Sequence, residues 1–160
     1  MKNLVLLLFV AGLAMMSSCG GAGTTGVSND EKIKILESKA WVLNTTEIMD
    51  DLIKTGANST QLEIVEPTMK RLQFATFKFS NGNKLELNIN DGTAPVFGTY
   101  KFTPDGNYLE ISLGSRAALP HKIISFGEEK IILGDDVNLG LMYKKILVPF
   151  DEAASKGDKK

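Results

Sequence analysis

The stretch Leu72–Leu113 reads LQFATFKFSNGNKLELNINDGTAPVFGTYKFTPDGNYLEISL. It contains four short runs in which apolar and polar side chains alternate, and these runs are Leu72–Phe79, Lys84–Asn90, Val96–Phe102 and Tyr108–Leu113. Turn signals rich in Gly, Asn and Asp separate the runs. Alternation interrupted by such turns is typical of antiparallel strands joined by hairpins. The stretch therefore predicts four consecutive strands of an up-and-down β-meander.

The first hairpin can be given a register from its apolar face. A two-residue Asn81-Gly82 turn would place the phenylalanines and leucines of its two arms on opposite faces. A three-residue loop, Ser80-Asn81-Gly82 with Gly82 left-handed, pairs Phe77 with Leu85 and unites the apolar side chains on one face. Since a one-residue slip turns every side chain to the other face, we predict the three-residue loop.

The hairpin around Pro104-Asp105-Gly106-Asn107 gives a second register. The same apolar-face criterion favours a loop of even length. It predicts Tyr100 opposite Ile111 and Phe102 opposite Leu109.

Further strands are predicted on both sides of this stretch: Ala40–Met49 before it, and His121–Phe126, Lys130–Gly134 and Leu141–Val148 after it. Gln61–Glu66 is a candidate for one more short strand, interrupted by Pro67, which cannot donate to a sheet. Asp50–Thr60 is predicted to be a loop, with a helical turn at Asp51–Lys54 as an option, and is a candidate lid over a barrel mouth. Eight strands, or nine if Gln61–Glu66 pairs, most simply remove their two edges by closing into an all-β antiparallel up-and-down barrel.

A short helix is predicted before the first strand. Ser28 or Asn29 can cap it, Asp30 and Glu31 lie in its favourable first turn, and it should end near Ser38. Two interpretations stay open: the helix closes one end of the barrel, or it is a surface helix that leads into the first strand.

Composition limits the class of protein. The chain has 160 residues with 43% hydrophobic and 23% charged residues, which is typical of one globular domain. A formal net charge of −1 gives no basic surface of the kind that binds nucleic acid. A single cysteine excludes both an intrachain disulfide and a metal cluster built from cysteines.

The N-terminus has the pattern of a lipoprotein signal peptide over residues 1–18. Leu4–Met16 is an apolar run of thirteen residues, shorter than the about 20 that a bilayer span needs. Met16-Ser17-Ser18-Cys19-Gly20 then resembles a bacterial lipobox, which makes Cys19 the predicted site of lipid attachment. The other interpretation is an ordinary signal peptide that contains a cysteine.

The remaining boundaries follow from composition. Residues 19–29 form a lipidated flexible tether rich in Gly, Thr and Ser, residues 30–149 the barrel, and residues 150–160 a charged, disordered tail. A lipid on Cys19 would hold the protein on a membrane without a spanning helix. Acidic residues directly after the lipidated cysteine would resemble the surface-export signal of some bacterial lipoproteins, and none lies between Cys19 and Asp30. We therefore expect a cell-envelope, outer-membrane lipoprotein that faces the periplasm.

The residues also resemble a family, the small lipocalin-like lipoproteins of Bacteroidetes-type bacteria. The likeness covers about Leu36 to Val148. It rests on Trp41 early in the first strand, the Phe79–Gly82 segment, Gly98-Thr99-Tyr100 followed by Thr103-Pro104-Asp105-Gly106, the Ile124–Leu133 hairpin, and Met142-Tyr143-Lys144. The resemblance implies an eight-stranded barrel with an apolar cavity as an option, and identifies no ligand.

Alternation places a set of nine side chains inward: Trp41, Leu43, Phe77, Leu85, Leu87, Tyr100, Phe102, Leu109 and Ile111. An eight-stranded barrel is either filled by its side chains or holds one small ligand. The nine residues are therefore either core or the lining of a pocket for a small hydrophobic molecule. Trp41 and Tyr100 would be the polar handles of such a pocket, since each adds a hydrogen-bonding group to an aromatic body.

No residue set in the sequence indicates catalysis or a resident metal or cofactor. His121 is the only histidine and follows Pro120 at a predicted strand start, where a surface or satisfied histidine is the ordinary explanation. The carboxylate pairs Asp50-Asp51, Glu128-Glu129 and Asp135-Asp136 all fall in predicted loops, and a calcium site at Asp135–Asn138 lacks the expected spacing.

The sequence thus predicts a non-enzymatic, monomeric, lipid-anchored binding protein of the cell envelope with a small apolar ligand in its barrel. The alternative is an interaction or structural module whose filled barrel binds another protein.

Overall fold

The computed structural model describes residues 26–135 and 143–151 of the chain. The predicted signal peptide, Cys19, most of the tether and nearly all of the C-terminal tail lie outside these ranges. Leu141 and Met142 also lie outside them, as do Asp136, Val137 and Asn138 of the segment considered for calcium.

The described chain contains three helices and eight strands. The helices are α1 (Asn29–Glu37), α2 (Thr45–Lys54) and α3 (Ser59–Leu72). The strands are β1 (Trp41–Leu43), β2 (Thr76–Ser80), β3 (Lys84–Asn88), β4 (Val96–Phe102), β5 (Tyr108–Leu113), β6 (Leu119–Phe126), β7 (Ile131–Asp135) and β8 (Lys145–Pro149).

The eight strands form a closed antiparallel barrel in sequence order, so the predicted fold class is confirmed. Each strand pairs with its neighbours along the chain, and β1 pairs with β8 to complete the ring. One irregularity lies between β6 and β7, where the register shifts between Ile123 and Ser125. Closure pairs the backbone groups that an open meander would leave exposed at its edges.

The β4–β5 register is as predicted, with Tyr100 opposite Ile111 and Phe102 opposite Leu109. The β2–β3 register differs from the prediction by two residues, because Phe77 pairs with Leu87 rather than with Leu85. Both Gly82 (φ 80°) and Asn83 (φ 60°) are left-handed, so the loop is Asn81-Gly82-Asn83 and one more residue pair forms before it. The predicted apolar face is retained, since a slip of two leaves side chains on the same face.

The first strand is much shorter than predicted. Ala40–Met49 was expected to be extended throughout, but β1 ends at Leu43 and α2 begins at Thr45. Asn44 caps α2, and its side chain accepts a hydrogen bond from the Glu47 amide at 3.1 Å. The cap satisfies one of the free amides of the first turn, which favours a helix where alternation alone indicated a strand.

The predicted loop at Asp50–Thr60 is largely helical, and the candidate strand Gln61–Glu66 lies within α3, so a ninth strand is wrong. A capping box starts α3: Asn58 accepts from the Gln61 amide, and the Gln61 side chain accepts from the Asn58 amide, both at 2.9 Å. Pro67 lies inside the helix. Val65 and Met69 are buried at helical spacing, which stabilises α3 despite the missing amide of the proline.

α1 is docked against the β4–β5 turn. Ser28, one of the two predicted caps, starts the helix and forms a capping box with Glu31. The side-chain amide of Asn29 donates to the Thr103 carbonyl at 3.0 Å, and the buried Lys32 ammonium donates to the Gly106 carbonyl at 2.7 Å. Leu36, one turn further along, is fully buried in the core. These contacts support the interpretation in which α1 closes one end of the barrel.

Gly98 allows β4 and β5 to approach closely. A Cβ atom built at this position would lie 1.9 Å from the main-chain oxygen of Ser112. By contrast, a Cβ at Gly127 would make only an ordinary contact, at 3.6 Å from the Lys130 oxygen.

We therefore predict that Gly98→Ala lowers the free energy of unfolding by about 3 kcal/mol, the upper end of the usual cost of overpacking, because the added methyl group can fit only if the paired strands separate. Gly127→Ala is the matched control and should stay within about 0.5 kcal/mol of the parent. Urea unfolding of both variants measures the difference. Equal stability of the two variants would contradict the tight approach of β4 to β5.

Candidate functional site

All nine side chains predicted to point inward are buried or pack against the hydrophobic core. Six of them are buried: Trp41, Leu43, Leu85, Leu87, Tyr100 and Leu109. Phe77, Phe102 and Ile111 are half-buried and pack against the core. The largest fully buried side chains of the described chain are Trp41, Tyr100 and Phe79, so aromatic rings fill much of the barrel interior.

Trp41 and Tyr100, the two residues predicted to offer hydrogen bonds inside the barrel, both donate to the last turn of α1. The Trp41 indole donates to the Leu36 carbonyl at 3.0 Å, and the Tyr100 hydroxyl donates to the Glu37 carboxylate at 2.7 Å. The Tyr100 ring also meets Phe79 edge to face, with centroids 5.0 Å apart. Both hydrogen-bonding groups therefore tie the barrel interior to the helix that covers it.

Burial raises the pKa of the Tyr100 phenol far above its usual value, and its hydrogen bond to Glu37 adds to this effect. A phenolate there would lose its hydration and lie beside a carboxylate. The neutral hydroxyl, which can donate to Glu37, is the form that the fold stabilises.

Where the structure describes them, the other titratable candidates are distributed over α2, β6, β7 and the β6–β7 turn. His121 is buried on the inner face of β6, opposite Leu109. Asp50 and Asp51 lie on α2 rather than in a loop, and Glu128 and Glu129 are exposed in the β6–β7 turn. Within residues 26–135 and 143–151, no group of three or more His, Cys, Asp or Glu side chains could hold a metal ion.

The barrel end at which β4 and β6 begin is less fully packed than the end covered by α1. Val96 pairs with Leu87, and Leu119 pairs with Ile111, so alternation places both on the inner face. Val96 is nevertheless 36% exposed and Leu119 42% exposed. This rim of the barrel therefore shows apolar surface to solvent.

A cleft of about 410 Å³ lies between α2, α3 and the residues just before β8. Leu52, Ala57, Ile64, Val65 and Tyr143 give it apolar walls, and Asp51, Thr55, Gly56, Gln61 and Lys144 complete the lining. Ile64 is 61% exposed although it is a large apolar residue. The cleft thus combines an apolar surface that solvent reaches with a few polar groups, as small-molecule sites do.

Two ion pairs attach α2 to distant parts of the chain, and one of them, Asp51 with Lys144, lines the cleft. Glu47 and Asp51 lie one helical turn apart, and they accept from Lys130 at 2.8 Å and from Lys144 at 2.9 Å. Ile48 and Leu52, which follow Glu47 and Asp51 on the helix, are buried. The ion pairs are half-exposed, so burial of the two apolar residues supplies most of the stabilisation.

The sequence did not predict this cleft, because its alternation indicated no helix at α3 and only the optional helical turn at Asp51–Lys54 for α2. Leu62 and Ile64 alternate like strand residues, whereas the signal for α3 is Val65 and Met69 four residues apart. The other signal was Asn58 with Gln61 three residues later, the pattern of a capping box. Asp51 and Lys144 are 93 residues apart, and no local pattern connects them.

No protein-family model matches the chain, and no curated protein is similar to it. Among solved structures, the chain is similar to a DUF4847 family protein from Bacteroides vulgatus ATCC 8482, known from a crystal structure at 1.00 Å resolution. The two share 8% sequence identity with a TM-score of 0.44, over 74% of this chain and 96% of that one. So distant a likeness transfers no function. In the described ranges, no helix is both long and apolar enough to cross a bilayer.

The raised pKa of Tyr100 predicts an alkaline limit to stability. Unfolded tyrosine ionises near about pH 10, whereas folded Tyr100 resists ionisation. The stability that Tyr100 contributes is therefore complete below that pH and is lost as the pH rises towards the folded-state pKa.

Above about pH 10, the free energy of unfolding of the parent should fall more steeply than that of Tyr100→Phe, by up to about 1.4 kcal/mol per pH unit. Urea unfolding at a series of alkaline pH values measures both slopes. Parallel pH profiles would show that Tyr100 ionises freely in the folded protein.

Proposed function

We propose that the protein is a lipid-anchored, lipocalin-like binding protein of the bacterial cell envelope that takes up a small apolar molecule and has no catalytic role. The observation that carries this proposal is the cleft between α2, α3 and Tyr143. We assign the ligand to this cleft rather than to the nine inward side chains, because most of those are buried against one another.

The size and lining of the cleft support this assignment. Ligand sites typically enclose about 300–1,000 Å³ and are mostly apolar with a few polar groups, and the cleft has about 410 Å³. A bound apolar molecule would cover Ile64 and the edges of Leu52 and Val65. Removal of this surface from water provides the driving force, at about 25 cal/mol per Å².

The lipid anchor is the second part of the proposal, and the sequence around Cys19 supports it. Acyl chains on Cys19 would contribute about 0.8 kcal/mol per buried CH₂ group. The tether leads directly to Ser28, the cap of α1. On this proposal the α1 end of the barrel is held nearest to the membrane, on the periplasmic side of the outer membrane.

A protein-binding role is the second candidate, and one observation favours it. Phe97 is 67% exposed on the outer face of β4, beside the exposed Val96. Such apolar rims can also contact a protein partner. A partner there would be sensitive to Phe97→Ser, whereas a ligand in the cleft would not.

The ligand proposal predicts that Ile64→Asp abolishes co-purification of a small apolar molecule. A carboxylate in the wall would have to be desolvated when the ligand covers it. Ile53→Asp is the matched control, because Ile53 is 58% exposed on α2 and does not line the cleft.

Native mass spectrometry of each protein, released from its own membrane in mild detergent, is the measurement. The parent and Ile53→Asp should carry an added mass that Ile64→Asp lacks. A parent with no added mass, together with no affinity of the cleft for apolar probes in solution, would refute ligand binding there.

The anchor proposal predicts that Cys19→Ser leaves the protein unprocessed or soluble, because serine offers no thiol for lipid attachment. Labelling of cells with a fatty-acid analogue, followed by fractionation, measures both lipid and location. Incorporation of label into Cys19→Ser, or its unchanged recovery with membranes, would refute the anchor.

A further inference from the structure

Resting on the proposed ligand site, we infer that the cleft selects a neutral amphipathic molecule whose head group both donates and accepts hydrogen bonds, such as an alcohol or a primary amide. Molecules with the same apolar body and an ionised head, either carboxylate or ammonium, should bind less tightly. The inference depends on the charge balance of the cleft and on the hydrogen-bonding capacity of three side chains.

Counted over the described residues that line it, the polar side of the cleft carries no net charge. Among the residues that line it, Asp51 and Lys144 are the charged ones. They form an ion pair with Lys144 Nζ 2.9 Å from Asp51 Oδ1, and their side chains are 29% and 40% exposed. An anionic head at this pair would be repelled by Asp51, and a cationic head by Lys144, so neither ionised form gains a net electrostatic advantage.

The same pair keeps hydrogen-bonding capacity for a neutral head. A lysine ammonium has three donors, and the hydrogen bond to Asp51 is the one that the described residues give to Lys144. The second carboxylate oxygen of Asp51 accepts no hydrogen bond from the described residues. A hydroxyl or a primary amide can accept from Lys144 and donate to Asp51 at once, which neither ionised head can do.

Gln61 adds a neutral donor to the lining. Its side-chain oxygen accepts from the Asn58 amide at 2.9 Å in the capping box of α3. The oxygen is therefore held at the helix terminus, and the NH₂ group of the same side chain is left to donate. Thr55 is not available as a donor, because its single hydroxyl proton is shared between the carbonyls of Asp51 and Leu52.

The apolar side limits the size of the molecule. A cleft of about 410 Å³ has the volume that about 14 water molecules occupy in the liquid. An unbranched chain of about ten carbon atoms with one head group is of this order. It would lie against Leu52, Ile64 and Val65, with its head near Lys144.

Three probes with one chain length test the inference at neutral pH: decan-1-ol below its solubility limit, and decanoate and decylammonium below their micellar concentrations. Isothermal titration gives the dissociation constants, and the side-chain methyl resonances of Ile64 and Ile53 report the place of binding. We expect decan-1-ol to bind the parent at least roughly fivefold more tightly than either ion, in line with the modest strength of half-exposed charges.

Two variants of the ion pair then invert the preference. Asp51→Asn leaves the Lys144 charge uncompensated, so decanoate should become the preferred probe. Lys144→Met leaves Asp51 uncompensated, so decylammonium should become preferred. Both variants lose the ion pair. If the pair had only a structural role, both variants would change the affinities of all three probes alike. Opposite shifts therefore report on recognition of the head group.

The outcomes separate this inference from the proposed function. If none of the three probes shifts the Ile64 methyl resonance, the cleft is not a ligand site and the proposed function fails with it. If the probes bind at Ile64 but decan-1-ol is not preferred, or the two variants do not shift the preference in opposite directions, the cleft remains a ligand site and the inference about its head group is wrong.

Discussion

The barrel closes through a strand of only three residues. Trp41, Val42 and Leu43 pair with β2 on one side and with β8 on the other. The backbone extends this closure by one hydrogen bond at each end, from the Asn44 amide to Ile146 and from the Phe150 amide to Ala40. Helices flank this short strand, α1 before it and α2 after it, and the Trp41 indole donates to a carbonyl in the last turn of α1.

The meander could be predicted from sequence because each of its hairpins is local. In β4–β5 the apolar face and the turn agree on one register, and the structure has that register. In β2–β3 two registers keep the same apolar face, so alternation could not choose between them. The observed register needs Asn83 in a left-handed conformation. Asparagine adopts this conformation more readily than most residues, but nothing in the neighbouring sequence requires it.

The candidate site could not be predicted from the sequence, for a different physical reason. Helix α3 buries Val65 and Met69 but exposes Ile64, so the apolar residue that favoured a strand is the one that packs least. The cleft then depends on the pairing of Asp51 with Lys144, a contact between distant segments. The caps Asn44 and Asn58 were the local signals that could have indicated α2 and α3. Two helices there would in turn have indicated structure beyond the eight strands. The head-group preference requires the three-dimensional charge balance and follows from no motif.

The way in which the ring is completed also sets an order of events in time. The hairpins from β2 to β7 join residues close in sequence, so they can form as soon as their own segments are present. The β1–β8 seam joins Trp41 to Pro149, the contact between the two ends of the meander, and the entropy of closing so long a loop must be overcome before the seam contributes any stability. Folding rate falls as such distant contacts come to dominate, so completion of the seam is expected to be the slow step. Until then the free edges of β1 and β8 remain open to pairing with other extended chains.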